Sequence, residues 1–267
     1  MSTKVAAIQM VSGAELGPNL EAAGKLVSAA AAAGAKLVAL PENFYLIGRH
    51  EADKVKLAEK EGAGPVQDFL CDVSRKFKVW TVGGTAPIAS SDGRRVRGAC
   101  LVYDERGRRV GRYDKMHLFQ FAAGDERYDE TRTVEPGGSP LALESPFGRL
   151  ALSVCYDVRY PELYRALGVF DALFVPSAFT VPTGAAHWET LLRARAIENQ
   201  AYVVAPAQGG RHETGRSTYG HTMIIDPWGE ILALQPAGEG VVLAELDPAR
   251  IREVRSQLPA HENRRLH

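Results

Sequence analysis

Short apolar runs alternate with stretches of helical periodicity along most of this chain. Residues 5–10 form the first such run and read as a strand. Residues 18–33 place Leu20, Ala23, Val27, Ala30 and Ala31 at spacings of three to four, one apolar face of a helix. Pro18 suits the first turn of that helix and Gly34 its C-terminal cap. A second apolar run, 36–40, ends where Pro41 forces the chain out of a strand. The pattern then predicts a helix over 66–77 and a strand over 79–87. Residues 94–103 and 108–113 read as a hairpin with its turn at Asp104-Glu-Arg-Gly107. No period is visible from 119 to 140, which predicts a long irregular loop.

Alternation resumes with an apolar run from Leu150 that ends in Cys155. A polar turn follows, then a helix over 161–167. Strands are predicted at 172–175, 201–207, 221–225, 231–235 and 240–246, with a helix over 188–199 and a turn at Asp226-Pro-Trp-Gly229. Strands alternating with helices in this way indicate an α/β layered fold. The 267 residues are 45% hydrophobic, enough for a large core. With no linker, repeat or low-complexity stretch, residues 1–267 read as one domain with a polar tail after about 258. Such a tail is either frayed or docked on a partner subunit.

Charge narrows the partners. Lys+Arg and Asp+Glu are both 32, so the net charge is zero and gives no support for nucleic-acid or membrane-surface binding. A cluster of arginines between Arg94 and Arg112 is interleaved with Gly, Asp and Glu, and reads as solvated strand faces and a turn. No basic-then-apolar leader opens the chain, and no apolar run is long enough to span a bilayer. Three widely separated cysteines, Cys71, Cys100 and Cys155, match neither a zinc spacing nor a disulfide framework. They fit a reducing compartment and point to a cytoplasmic protein.

Glu42, Lys115 and Cys155 each fall just past a predicted strand. In open α/β sheets ligands bind outside the carboxyl ends of strands, so three distant residues can meet there. A carboxylate could take the thiol proton, the thiolate attack an electrophilic carbon, and an ammonium with a backbone N–H stabilise the oxyanion. Each residue alone has a plainer reading: Glu42 and Lys115 as solvated loop residues, Cys155 as an inert core thiol. Spacing alone leaves the function open.

The surrounding motifs carry more. Leu40-Pro-Glu-Asn-Phe, Tyr113-Asp-Lys-Met-His-Leu-Phe and Cys155-Tyr-Asp-Val-Arg-Tyr-Pro-Glu-Leu together resemble the nitrilase (carbon–nitrogen hydrolase) superfamily. So do Ala7-Ile-Gln-Met10, Ala185-Ala-His-Trp-Glu189, and Tyr219-Gly-His-Thr-Met223 with Asp226-Pro-Trp-Gly229, from Lys4 to about Asn263. The resemblance implies a four-layer αββα sandwich and a Glu-Lys-Cys triad. Glu42 matches the general base, Lys115 the oxyanion-stabilising lysine and Cys155 the nucleophile. Glu130 matches a second glutamate that orients the lysine, and the backbone N–H of Tyr156 would complete the oxyanion hole. It further implies amide hydrolysis through a thioester on Cys155, with the nitrogen leaving as ammonia and no metal or organic cofactor. Assembly into homodimers or larger homo-oligomers is implied as well.

Residues 185–200, with Ala207-Gln-Gly-Gly-Arg-His212, look most like the deaminated glutathione amidases, which give 2-oxoglutarate and cysteinylglycine. The alternative branch is ω-amidase, acting on 2-oxoglutaramate with release of ammonia, or another small-amide hydrolase. A substrate with two carboxylates needs cationic or N–H-rich walls. Arg211, His212 and Arg216 lie in a Gly-rich segment after a strand and could reach one; the plain alternative is a solvated basic loop. Phe179, Thr180 and Thr183, in the expected loop after 172–175, could line the pocket; ordinary loop packing is the alternative. Gln120-Phe-Ala-Ala-Gly-Asp125 departs from the more acidic run of relatives and would shape the entrance. Two other functions compete. A Cys-His hydrolase would use His187 as base, although His187 suits a helix start. A binding module would keep the fold without activity. Arg195, beside the apolar face of the 188–199 helix, would pair with a buried carboxylate or cross a subunit interface.

Overall fold

The computed structural model describes residues 2–123 and 126–265. Gly124 and Asp125 of the expected entrance segment, and Leu266 and His267 of the tail, lie outside the described residues. Two sheets lie face to face, with helices on the outer side of each. The first has seven strands. Gly240–Leu246 pairs antiparallel with Thr3–Gln9, then Leu37–Leu40 and Trp80–Gly83 follow in parallel, and Val96–Tyr103 and Arg109–Asp114 add antiparallel. The second has six strands, in the order Ile231–Gln235, Thr222–Ile225, Tyr202–Ala205, Ala172–Phe174, Gly148–Leu152, Leu141–Ser145.

Strand alternation sorts the core into layers. Val5, Ala7, Leu37 and Ala39 face the second sheet, in one cluster with Leu152 and Val203. Their neighbours Ala6, Ile8, Val38 and Leu40 face the other way, against Val27 of helix Leu16–Ala32 and Leu70 of helix Pro65–Phe77. The second sheet carries helices Pro161–Ala166 and Val181–Asn199, which bring Tyr164, Trp188 and Leu192 into its core. Strands buried on both faces read as continuous apolar runs, which is why the sequence announced them. The architecture is the αββα sandwich the family resemblance implied.

Several boundaries differ from the expectations. The single strand over 79–87 is two, Trp80–Gly83 and Ala86–Ala89, which pair in succession along the same edge of Val96–Tyr103 with a one-residue shift of register. Gly84 makes the break: its φ is +48°, and a Cβ there would lie 2.0 Å from the carbonyl oxygen of Pro41. That contact seats the backbone just before Glu42. Thr85, beyond the break, accepts the Asn43 N–H at 2.9 Å just after it.

The stretch 119–140 is less irregular than expected. It holds a hairpin, Gln120–Ala123 with Glu126–Asp129, and a 3-10 turn, Glu130–Arg132. Four-residue strands are too short to show a period. The helix expected over 188–199 begins earlier, at Val181, because Thr180 and Pro182 suit its start. His187 therefore sits inside the helix rather than opening it, and Thr183 lies in its first turn. Gly184 within this helix lets Tyr219 pack closely; a Cβ there would meet its ring at 2.3 Å. The expected Gly-rich loop is a short hairpin, Gly209–Arg211 with Ser217–Tyr219. A further helix, Pro248–Gln257, was not expected, although Asp247-Pro248 is a cap and first-turn signal. The tail beyond it docks on its own chain: Gln200 Nε2 donates to the Leu258 carbonyl and His261 Nε2 meets the Asn199 carbonyl.

Candidate active site

Glu42 follows strand Leu37–Leu40, Lys115 follows Arg109–Asp114, and Cys155 lies just past Gly148–Leu152. All three strand ends open on one cleft, lined also by Glu130, Phe119 and Ala178. Lys115 is buried between two carboxylates, with Nζ 2.8 Å from Glu42 Oε1 and 2.6 Å from Glu130 Oε2. The backbone N–H of Phe119 donates to the same Glu130 oxygen at 2.7 Å, and the Glu130 N–H donates to the Phe119 carbonyl. The 3-10 turn thereby holds Glu130 in place from two sides.

Cys155 is buried and opens a 3-10 turn, Cys155–Arg159, with φ +51°. Left-handed backbone at a non-glycine residue is strained and must be held by its surroundings. Its N–H donates to the Pro176 carbonyl at 2.9 Å. Asp157, wholly buried, does the rest. One oxygen accepts the Val154 N–H at 2.8 Å and the Tyr113 hydroxyl at 2.7 Å. The other accepts the His117 N–H at 2.9 Å and lies 2.7 Å from its Nδ1. Tyr113 and His117 flank Lys115, so Asp157 ties the nucleophile turn to the lysine strand end. The Ala178 N–H, from the segment after strand Ala172–Phe174, favours the anionic form of the Cys155 sulfur. The sequence reading missed both Asp157 and this backbone donor.

Burial is the largest influence on the Cys155 thiol and pushes its pKa well above the usual value. Glu42 adds to this and Lys115 only partly offsets it. In the resting site the sulfur is a thiol. Burial alone would depress Lys115, but Glu130 and Glu42 outweigh it and hold the ammonium well above its ordinary 10.5. Burial disfavours the Glu130 anion, yet Lys115 and the Phe119 N–H keep its pKa below the ordinary 4.5. The signs fix a stability window. The Glu130 contribution is present above pH 4.5 and is lost as pH falls through the lower folded value. The Lys115 contribution is present below pH 10.5 and is lost as pH rises through the higher folded value. Thermal melts of Glu130→Gln and the parent chain should therefore converge as pH drops below 4.5. A gap that stays constant down to pH 3 would contradict this.

A second, smaller lobe shares Phe119, Cys155 and Ala178 with the first. Tyr156, Arg159, Phe179 and Thr183 line it. The Arg159 guanidinium lies 5.7 Å from the Tyr156 ring centre and 5.4 Å from that of Phe179. Arg159, not singled out from the sequence, is the cation of this lobe; its signal was its place four residues after Cys155. Arg211 and His212 do not line either lobe. Arg211 is exposed. His212 is buried, with Nδ1 donating to the Ser12 carbonyl and Nε2 meeting the Thr218 hydroxyl, both at 2.8 Å, and burial lowers its pKa. It is a neutral strut. Ser12 also bonds Gln208, whose amide donates to the Glu42 carbonyl at 3.2 Å. Of the three residues in that segment, Arg216 reaches the cleft.

His187 is exposed and its Nδ1 lies 3.2 Å from Arg159, with no bond to the thiol among the described residues. Arg195 turns inward, donating to the Val158 carbonyl and to Glu198. Among the described residues, no cluster of three or more His, Cys, Asp or Glu side chains could hold a metal ion, and no helix is long and apolar enough to cross a membrane.

The profile of the family described as "Carbon-nitrogen hydrolase" matches residues 4–256. The chain is 44% identical over 266 residues to the deaminated glutathione amidase of Synechocystis sp., spanning 97% of each protein. It is 38% identical over 268 residues to that of Homo sapiens, spanning 98% of this chain and 82% of the human one. The crystal structure of Saccharomyces cerevisiae Nit3, a member of branch 10 of the nitrilase superfamily, superposes with a TM-score of 0.87 at 30% identity, covering 99% of this chain and 97% of that one. The C. elegans NitFhit protein gives a TM-score of 0.89 at 36% identity over 99% of this chain, which spans 65% of that longer one.

Proposed function

We infer the function from one premise: the chain belongs to the carbon–nitrogen hydrolase family. It is an amidase of linear C–N bonds, and within that class we read it as a hydrolase of deaminated glutathione. The observation that carries the site assignment is the Lys115 ammonium wedged between Glu42 and Glu130 in the cleft that holds the Cys155 thiol. Residues 1–267 act as one such domain, with Leu258 and His261 bonded back onto it.

Glu42 takes the Cys155 proton as the sulfur attacks the amide carbon. The buried thiol favours its neutral form, so transfer accompanies attack rather than preceding it. The tetrahedral oxyanion is held by Lys115 and by a backbone N–H, that of Tyr156 or Ala178. Glu130 acts through Lys115, keeping it charged and aimed. Glu42 returns the proton to the leaving nitrogen, the C–N bond breaks, and a thioester remains. Water activated by Glu42 then releases the acid. With deaminated glutathione the leaving group is the amine of cysteinylglycine, so the expectation of ammonia holds only for primary amides such as 2-oxoglutaramate.

Arg159 over Tyr156 and Phe179 supplies a cation in an otherwise aromatic lobe, where the 2-oxo acid carboxylate fits. Thr183 adds a hydroxyl there. Assembly is proposed as a homodimer, supported by exposed Ile197 on helix Val181–Asn199 and exposed Trp228, whose neighbour Gly229 meets that helix. Three free thiols fit a cytoplasmic setting. The test is a comparison of purified enzyme on deaminated glutathione, 2-oxoglutaramate and simple aliphatic amides, following 2-oxoglutarate or the free acid. The highest kcat/KM is expected for deaminated glutathione. A higher value for 2-oxoglutaramate would favour the ω-amidase reading instead.

A further inference from the structure

The two lobes divide the substrate at the scissile bond. Cys155 lies where they join, with Phe119 and Ala178. Glu42 lines only the larger lobe. Because Glu42 must hand a proton to the leaving nitrogen, the leaving group occupies that lobe and the acyl group the smaller one. The leaving-group lobe also borders an outer concavity. Glu51, Tyr128 and Asp129 line the lobe and also line this wide concavity outside the hairpin of Gln120–Ala123 and Glu126–Asp129. A leaving group larger than ammonia would extend toward that concavity.

The larger lobe has two cations besides Lys115: Lys54 and Arg216. Glu51 sits between them, 3.2 Å from Lys54 Nζ and a loose 3.7 Å from Arg216 Nη1. Among the described residues the buried Nε of Arg216 has no hydrogen-bond partner, and its guanidinium lies 5.1 Å from the Tyr128 ring centre. Of the other carboxylates, Glu42 and Glu130 hold Lys115, and Asp129 is engaged by Thr131 and Gln120. The four carboxylates of the lobe outnumber its three cations, so the opening lies in Arg216 itself: its Nε donor is unused, its one ion pair, to Glu51, is a loose 3.7 Å, and such a guanidinium suits a second carboxylate.

We propose that Arg216, supported by Lys54, binds the carboxylate of the leaving group and selects amides whose leaving amine carries one, as the glycine end of cysteinylglycine does. The inference rests on the proposed function and adds what separates a peptide-like leaving group from ammonia. A solvated arginine paired only with Glu51 is the plain alternative.

The test compares Arg216→Gln with the parent enzyme on three substrates: deaminated glutathione, the same compound with its glycine carboxylate amidated, and 2-oxoglutaramate. The loss of kcat/KM on deaminated glutathione should exceed that on 2-oxoglutaramate by about 10- to 100-fold, the range of a charge-assisted hydrogen bond. It should appear mainly in KM. The excess loss should vanish on the amidated compound, and Arg216→Lys should recover part of it. Equal losses on all three substrates, or none, would overturn the proposal. A misfolded variant would show as equal losses with a changed circular dichroism spectrum, and Arg216→Lys against the three substrates then decides. If the parent enzyme turns over 2-oxoglutaramate but neither larger substrate, the substrate reading fails and this inference with it. If it turns over deaminated glutathione but is indifferent to amidation, only this inference fails.

Discussion

Cys155→Ala is expected to abolish amide hydrolysis, lowering turnover by at least roughly 10⁴-fold, because among the described residues no other nucleophile lines the junction of the two lobes. The fold should survive. The change removes one buried sulfur at a left-handed position and leaves the Asp157 bonds to Val154, Tyr113 and His117 untouched. A cost of about 1 kcal/mol would lower the melting temperature by about 2–4 °C for a chain of this size. Product release and a thermal melt on the same preparation check both parts. The parent enzyme, quenched in acid during turnover, should carry the acyl mass on the peptide containing Cys155. Turnover retained by the alanine variant would exclude the thioester route.

Glu42→Gln should separate thiol reactivity from catalysis. With Cys155 neutral, Glu42, Glu130 and Lys115 leave the cluster one unit negative, and a thiolate would make it two. Replacing Glu42 by glutamine makes the cluster neutral before ionisation, with Lys115 still beside Glu130. Burial still opposes the anion, but the Glu42 contribution is gone and the thiol pKa should fall. Alkylation of Cys155 by iodoacetamide at neutral pH should therefore accelerate. Amide turnover should drop by about 10²- to 10⁴-fold, since the group that moves the proton to nitrogen is lost. Slower alkylation would mean that Glu42 activates the sulfur in the resting enzyme, contrary to the order of events proposed here.

The candidate site was legible wherever a residue type is read together with its immediate neighbours. Glu42, Lys115, Glu130 and Cys155 stand in distinctive motifs, and the structure brings all four to one cleft. The pocket walls were much less so. Arg211, His212 and Arg216 lie in one short segment, and no periodicity tells which one faces the cleft. Pairing of Gly209–Arg211 with Ser217–Tyr219 decides it, burying His212 against Ser12 and Thr218 and sending Arg216 over Tyr128. Asp157 was read only as one letter of a motif. Its role as a link depends on Tyr113 and His117 arriving from the other sheet.

The sequence by itself determined the layers. Strands buried on both faces must be apolar throughout, helices must carry one apolar stripe, and both patterns are local. Tertiary structure decided what depends on register and on distant neighbours. It kinks the strand expected over 79–87 at Gly84, so that Pro41 and Asn43 are gripped around Glu42. It balances burial against two carboxylates and an ammonium, a sum of opposing influences that sets the Cys155 proton and has no expression in residue order. It also splits the cleft at the sulfur, placing Arg159 on one side and Arg216 on the other.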